Sequence, residues 1–170
     1  MITITFSLDD LFNMVWQRTV YMAENIDGNT VRSDVTPINE NNRDIFNTLL
    51  KQAANIVWER IAKYATEDSS VIEPFVLNFS TDGSEDEYPN QLVYILDELN
   101  SYSAGAHNPM ITNSIQDAIV SYIIYRWMLM KGLGGDGGTQ AEFQSYNDNL
   151  LRTVRGIEYG NRPKIKHRTF

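Results

Sequence analysis

The most apolar stretch of the chain lies at residues 118–130, where only Ser121 and Arg126 are polar. Apolar side chains on nearly every side of a 3.6-residue helix indicate a helix that its neighbours cover in most directions. A membrane span needs about 20 predominantly apolar residues, whereas Arg126 interrupts this run and Lys131 closes it. The pattern therefore predicts a buried central helix over residues 115–131 and favours it over a membrane segment.

Helical spacing of apolar residues predicts two further helices before the central one. Ser7 is a suitable N-cap for a helix over about 8–24, because its hydroxyl can accept a hydrogen bond from a backbone N–H of the first turn. A second helix is predicted from about residue 42 to residue 64. The expected core-facing side of the first helix comprises Leu8, Leu11, Phe12, Val15, Trp16, Thr19, Met22 and Ala23.

A last helix is predicted after a glycine-rich turn at residues 132–138. Thr139 and Glu142 have the spacing of a capping box, in which each side chain satisfies a backbone N–H of the first turn. The sequence from Thr139 to Arg155 then carries a narrow apolar stripe. The central and last helices are therefore expected to form a helical hairpin.

Three shorter segments have the residue types of strands. Residues 2–6 alternate Ile and Thr and end in Phe, which fits an edge strand or an extended lead-in. Residues 71–80 are rich in strand formers, with Pro74 favouring an edge position. Residues 91–102 fit a strand or a helix, and a shared helical face of apolar residues favours a short helix. The predicted fold is mainly α: a helical bundle of four to five helices with a short strand or β-hairpin and a projecting C-terminal arm.

The predicted loops and the C-terminal segment indicate how the chain is organised into a domain and an arm. The long segment 25–42 is rich in Asn, Asp, Gly and Thr, and loops of that length usually make functional contacts. An exposed acidic loop is expected at 82–87, and Gly105 and Pro109 indicate another loop over about 101–112. We expect a single helical domain over residues 1–160 and a basic arm over 161–170 that leaves it.

Charge is distributed unevenly along the chain. The formal net charge is −8, but residues 152–170 alone carry +5, and residues 1–151 therefore carry −13. Such a basic segment on an acidic body can contact an acidic partner or nucleic acid, or serve solubility alone. The absence of cysteine excludes zinc–cysteine sites and thiol catalysis. The first ten residues lack the pattern of a secretory signal, so we expect the protein to act in the cell that makes it.

Candidate catalytic chemistry is sparse. The two histidines, His107 and His167, lie in a predicted loop and in the C-terminal arm, so a metal site or a His-based triad would need distant segments to meet. The sequence GLGGDGG follows a helix and lacks the lysine of a phosphate-binding loop, which indicates an interhelical turn. We therefore predict no catalytic, cofactor-binding or metal-binding residues and no enzymatic activity.

Arg126 is the most informative single residue. A guanidinium within an apolar helix must reach the surface or find a partner, because an unpaired buried charge costs several kcal/mol. Asp97 or Glu142 could provide a structural ion pair within the chain. An ion pair with a neighbouring subunit is the alternative.

The C-terminal half of the chain resembles a known family. The segments AIVSYIIYRWMLMKG, AEFQSYNDNLLRTVRG and NRPKIKHR together resemble the C-terminal half of tailed-phage head-to-tail connector proteins, the adaptors that dock under the portal. The resemblance covers roughly residues 113–168, while the N-terminal half is compatible through its helices and strand. The positions that fit the hairpin core are Ile119, Ile123, Trp127, Phe143, Leu150 and Val154.

The resemblance implies a structural virion protein of the neck, assembled in the host cytoplasm. Its partners would be the portal protein, neighbouring connector or tail proteins, and further copies of the chain in a homo-oligomeric ring. Double-stranded DNA would pass through the lumen of the ring without sequence-specific binding, and no membrane or cofactor is implied. The residues expected to contact the portal or another partner are Arg162, Lys164, Lys166, His167 and Arg168.

A different class of function fits the same residues. A monomeric helical binding or regulatory module would use the acidic surface to engage a basic partner. A hydrolase with scattered carboxylates is a third class, but the sequence brings no such carboxylates together. Observation of a ring that binds the portal would distinguish the connector from the monomeric module and from the hydrolase.

Overall fold

Four helices and a three-stranded sheet form the part of the chain that the computed structural model describes. The described residues are 2–24, 35–62, 75–79, 90–96, 101–133 and 138–160. The elements are β1 (Ile2–Ser7), α1 (Leu8–Glu24), a 3₁₀ turn (Glu40–Asn42), α2 (Arg43–Ile61), β2 (Val76–Asn78), β3 (Gln91–Leu96), α3 (Ser101–Met130) and α4 (Gly138–Gly160). The helices and the small sheet confirm the predicted mainly α class, while the predicted C-terminal arm lies outside the described residues.

The sheet is antiparallel, with β3 between β1 and β2. Ile2 pairs with Leu96 and Ser7 with Gln91, while Val76 of β2 lies opposite Val93. The prediction of a short helix over 91–102 is wrong for residues 91–96. Leu92, Val93 and Tyr94 are all buried, and a strand covered on both faces has a continuous apolar run that periodicity alone does not distinguish from a helix.

β1 passes into α1 without a loop between them. The Ser7 hydroxyl oxygen accepts a hydrogen bond from the Asp10 N–H at 3.3 Å, which confirms Ser7 as the N-cap. The Leu8 N–H donates to the Asn90 carbonyl at 3.1 Å. The start of α1 is therefore fixed to the residue that precedes β3.

Helix α3 is longer than predicted because it begins at Ser101 and continues through Pro109. The loop predicted over 101–112 is therefore wrong. A proline inside a helix removes one backbone hydrogen bond and costs about 3 kcal/mol, but the buried Ile111 and Ile115 hold the next turns in the core. Tertiary packing here outweighs the local preference of the sequence.

The buried central helix is confirmed. Ile119, Ile123 and Trp127 have no exposed surface, and α3 contacts α1, α2, α4 and β1. Helix α4 begins at Gly138, one residue before the predicted start, and packs along α3 through Leu150 and other apolar side chains. The fold thus encloses α3 and exposes one side of each helix around it.

Tyr94 joins the sheet to α2 inside the core. Its hydroxyl donates to the Ala54 carbonyl at 3.1 Å, and burial raises the pKa of the Tyr94 phenol because its charged form is not solvated there. A group with a raised pKa in the folded state stays protonated while the unfolded chain ionises. The contribution of Tyr94 to the stability of the fold is therefore complete below the pKa of tyrosine in the unfolded chain, and it is lost as the pH rises above that value.

We expect the free energy of unfolding to fall above pH ~10, with Tyr94 contributing about 1.4 kcal/mol per pH unit. Tyr94→Phe should be about 1 kcal/mol less stable at pH 7, because it loses the hydrogen bond, and should lose stability less steeply above pH 10. Urea unfolding at several pH values measures both effects. Tyr21→Phe, at a tyrosine that is 68% exposed, is the matched control and should follow the wild-type profile.

Candidate functional site

The predicted contact residues of the C-terminal arm, Arg162, Lys164, Lys166, His167 and Arg168, lie outside the described residues. So do residues 25–34 of the long loop and the acidic segment 82–87. His107 lies in α3, and its side chain is not among those described. The candidate site is therefore built from Arg126 and from the surfaces around α1.

Arg126 is half-buried on α3. Its Nε is shielded from solvent and has no hydrogen-bond partner within the described parts of the chain. Glu142, one of its two predicted partners, instead lies 3.7 Å from Arg18, while Asp97 is outside the described residues. The intersubunit ion pair of Arg126 stays a prediction.

Arg126→Met should change the stability of the isolated subunit by no more than about 1 kcal/mol, because methionine replaces a shielded N–H without a described partner by an apolar group of similar length. If Arg126 pairs with a neighbouring subunit, the same change should weaken self-association at least tenfold (about 1.4 kcal/mol). Chemical unfolding and sedimentation velocity measure the two quantities. Arg60→Met, at an exposed position of α2, is the control and should change neither.

Arg18 is the polar link between α1 and the hairpin. Its NH2 lies 3.3 Å from Asp117 Oδ1 on α3, and its NH1 lies 3.7 Å from Glu142 Oε1 on α4. The guanidinium carbon is 5.8 Å from the centre of the Tyr146 ring. The side chains of Arg18, Asp117 and Glu142 are 33%, 36% and 44% exposed, so each ion pair contributes little on its own. Together the two pairs link α1 to α3 and α4.

A groove of about 400 Å³ lies beside Arg18, between α1 and α4, with α3 at its base. Its described lining comprises Gln17, Arg18, Tyr21, Met22, Ile124 and Glu142. Arg18 and Glu142 face each other within it, so the charges of the groove are largely paired. This pairing leaves no net charge to select a ligand.

The other side of α1 borders a larger cleft, of about 530 Å³, which we call the Trp16 cleft. Its described lining comprises Phe12, Asn13, Trp16, Asn39, Glu40 and Asn41. Trp16 is 43% exposed, which corrects its expected place among the core-facing residues of the first helix. An aromatic face and several amide and carboxylate groups thus meet in one concave surface.

Residues 39–41 form the second wall of the Trp16 cleft, and the preceding residues 35–38 anchor that wall. Ile38 is buried, and its N–H donates to the Thr19 hydroxyl, which itself donates to the Trp16 carbonyl. The Trp127 indole N–H donates to the Thr36 carbonyl at 2.8 Å. The described end of the long loop is therefore held by both α1 and α3, and the functional contacts expected of the loop stay a prediction.

Arg43 supports the cleft from its outer edge. Its guanidinium pairs with Asp9, lies 3.6 Å from Glu40 and is centred 4.4 Å from the Phe12 ring. Asp10 and Asp44 are exposed and form no ion pair with a described residue. Asp9 and Glu40 beside Arg43 leave this edge of the cleft with a formal charge of −1.

The described lining of the Trp16 cleft offers groups for binding. Glu40 is the only titratable side chain in its described lining, so the lining offers no pair of groups for general acid and base catalysis. In the part of the chain that the structure describes, no three His, Cys, Asp or Glu side chains are grouped to hold a metal ion. The sequence did not reveal this surface, because the position of residues 35–42 depends on contacts with α1 and α3.

Comparisons with protein families, with curated proteins and with solved structures find no match. Among the described helices, none combines the length and the hydropathy needed to cross a membrane.

Proposed function

We propose that this protein is a structural connector of a virion, which forms a ring between head and tail and docks to the portal protein around the DNA channel. The observation that carries the proposal is the C-terminal half: an enveloped α3 and an amphipathic α4 followed by a basic, proline-containing segment. This arrangement resembles the hairpin of tailed-phage head-to-tail connectors. In this proposal the protein positions the head and the tail relative to each other and catalyses no reaction.

The charge distribution supports the same function. Residues 1–151 carry −13 and residues 152–170 carry +5. A negative lumen would repel the phosphates of DNA and let it slide through the ring without sequence-specific binding. The basic arm, with Arg162, Lys164, Lys166, His167 and Arg168, would anchor each subunit to an acidic surface of the portal or of an adjacent connector or tail protein.

Electron microscopy and native mass spectrometry test the ring directly. The purified chain, alone and mixed with a portal protein from the same genome, should form closed rings of one subunit number. Those rings should stack coaxially on the portal in two-dimensional class averages. A chain that stays monomeric at all concentrations and does not bind the portal contradicts the proposal.

The Trp16 cleft favours a second candidate, a monomeric module in which an acidic aromatic cleft engages a basic partner. The largely exposed Glu40 carboxylate and the exposed indole of Trp16 supply groups that such a module could use for recognition. Sedimentation velocity separates the two candidates. A single monomeric species that binds a basic protein and shows no affinity for the portal supports the module.

A further inference from the structure

The strand β1 lies at the outside of the sheet, and one of its edges is paired with no described strand. The strand order is β1-β3-β2, so β3 pairs with one side of β1 only. The side chains of Thr3 and Thr5 on this strand are exposed. An unpaired edge presents a row of backbone N–H and C=O groups that can pair with another extended chain.

The register of the sheet identifies which backbone groups of β1 lie at the free edge. The Leu8 N–H donates to the Asn90 carbonyl at 3.1 Å, and this bond continues the ladder between β1 and β3. Residues of an antiparallel strand direct their N–H and C=O groups alternately towards one neighbour and away from it. The even-numbered residues of β1 therefore bond to β3, while Thr3 and Thr5 direct these groups to the free edge. Within the described part of the chain, those groups of Thr3 and Thr5 have no hydrogen-bond partner.

The strand β1 lacks the features that usually keep edge strands from pairing. Those features are charged residues, proline, a bulge or a covering segment. Residues 2–7 read ITITFS, with no charge and no proline, and their pairing with β3 is continuous from Ile2 to Ser7. Isoleucine, threonine and phenylalanine are also good strand formers. In a chain of net charge −8, this uncharged strand offers a second copy a contact without opposed like charges.

The sequence of β1 is self-complementary in one antiparallel register. When two copies of the strand are centred on Ile4, the pairs are Ile2 with Phe6, Thr3 with Thr5, and Ile4 with Ile4. Residues directly opposite each other lie on the same face of a sheet. The buried Ile4 and Phe6 then stay on the core face, and the exposed threonines stay on the outer face. A slip by one residue would place threonines on the core face.

The same register satisfies the backbone groups at the free edge. Thr3 of one copy and Thr5 of the other both direct their N–H and C=O groups to the shared edge, so they form a hydrogen-bonded pair that exchanges two N–H···O=C bonds. The two-fold axis repeats this pair. At the axis, the two Ile4 residues form the closer, non-hydrogen-bonded pair, which brings their side chains into contact.

We propose that two copies of the chain associate through their β1 edges in this register and form one continuous antiparallel sheet. The proposal goes beyond the connector function and does not depend on it. A two-fold contact uses the same patch on both subunits and closes on two copies, whereas a ring needs a head-to-tail contact between different patches. The β1 contact therefore pairs subunits independently of the contact that closes a ring.

Hydrogen exchange of single backbone amides tests the contact. It is measured by NMR on the full chain at a low protein concentration and at one where sedimentation velocity shows self-association. The N–H groups of Thr3 and Thr5 should exchange about tenfold more slowly, or less, at the higher concentration, because they are hydrogen-bonded only in the dimer. The Ile4 N–H bonds to β3 within one copy and should be protected at both concentrations. Self-association that leaves the amides of Thr3 and Thr5 unprotected overturns the proposal.

A proline variant removes one donor from the free edge. Thr5→Pro deletes an N–H that faces away from β3, and proline is tolerated at such positions of an edge strand. Self-association should weaken about tenfold or more, with the far-ultraviolet circular dichroism of the wild type. Thr5→Val is the matched control, because it keeps the N–H and the branched side chain, and it should self-associate as the wild type does.

Charge variants test the register even if Thr5→Pro disturbs the strand. One variant combines Thr3→Lys with Thr5→Lys, and the other combines Thr3→Glu with Thr5→Glu. Each variant alone places like charges directly opposite each other in the proposed register, so it should remain monomeric. An equal mixture should form a heterodimer, because each lysine then lies opposite a glutamate. Absence of this heterodimer overturns the register.

The outcomes separate the β1 contact from the ring. Assemblies that persist unchanged in Thr5→Pro and in each charge variant overturn the contact and leave the connector function standing. A wild-type chain that is monomeric at all concentrations but binds the portal also overturns the contact alone. One that is monomeric and does not bind the portal overturns both.

Discussion

Trp127→Ala should lower the free energy of unfolding by about 3 to 5 kcal/mol, the largest loss that we expect from a single substitution. The indole has no exposed surface, and its N–H donates to the Thr36 carbonyl at 2.8 Å. Alanine would leave a cavity beside α3 and a carbonyl without its donor. Because Thr36 lies three residues before the cleft wall at residues 39–41, that wall should also be held less firmly.

Urea unfolding followed by circular dichroism measures the loss at Trp127. Trp127→Phe keeps most of the ring and removes the donor, so it should cost about 1 to 2 kcal/mol. Leu129→Ala, on the same helix but 37% exposed, should cost less than Trp127→Ala. Equal losses for Trp127→Ala and Leu129→Ala would contradict the central role of Trp127 in the core.

Deleting residues 161–170 should abolish docking to the portal and leave the fold intact. The deleted segment carries four of the six basic side chains found in residues 152–170. A protein without it keeps the acidic body and loses most of the attraction to an acidic partner surface. Pull-down or mass photometry with the portal protein measures docking, and a thermal melt measures the fold.

A matched control for the deletion is the full-length chain with the five residues Arg162, Lys164, Lys166, His167 and Arg168 replaced by glutamine. It keeps the chain length and removes the charge, so it should lose docking as the deletion does. We predict that the arm contributes nothing to the stability of the core. A fall of more than about 5 °C in the midpoint of thermal unfolding of either variant would contradict that prediction. Full docking by either variant would contradict the role of the arm in anchoring.

The parts of the fold that follow local rules could be predicted from the sequence. The apolar positions around Ile119 and Ile123 predict a covered helix, and Ser7 predicts the start of α1. Residues 91–96 could not be assigned in this way, since the pairing of β3 with two distant strands decides between strand and helix. The helix through Pro109 depends likewise on the burial of the turns that follow it.

The candidate site depends even more on long-range contacts. Trp16 has the helical spacing of a core residue, and the sequence gives no sign that residues 39–41 stop short of covering it. Arg18 looks like an ordinary surface cation until Asp117 and Glu142 are brought beside it from positions more than 90 residues away. The functional roles of Arg126 and of the basic arm stay predictions.

The direct passage from β1 into α1 has a mechanical consequence. With no loop to absorb a displacement, sliding β1 by one residue against β3 would advance α1 by about 3 Å and force it to rotate. The hydrogen bonds between β1 and β3 therefore fix the rotation of α1 about its own axis. We therefore expect substitutions in β3 that change this register to change the orientation of the Trp16 indole as well.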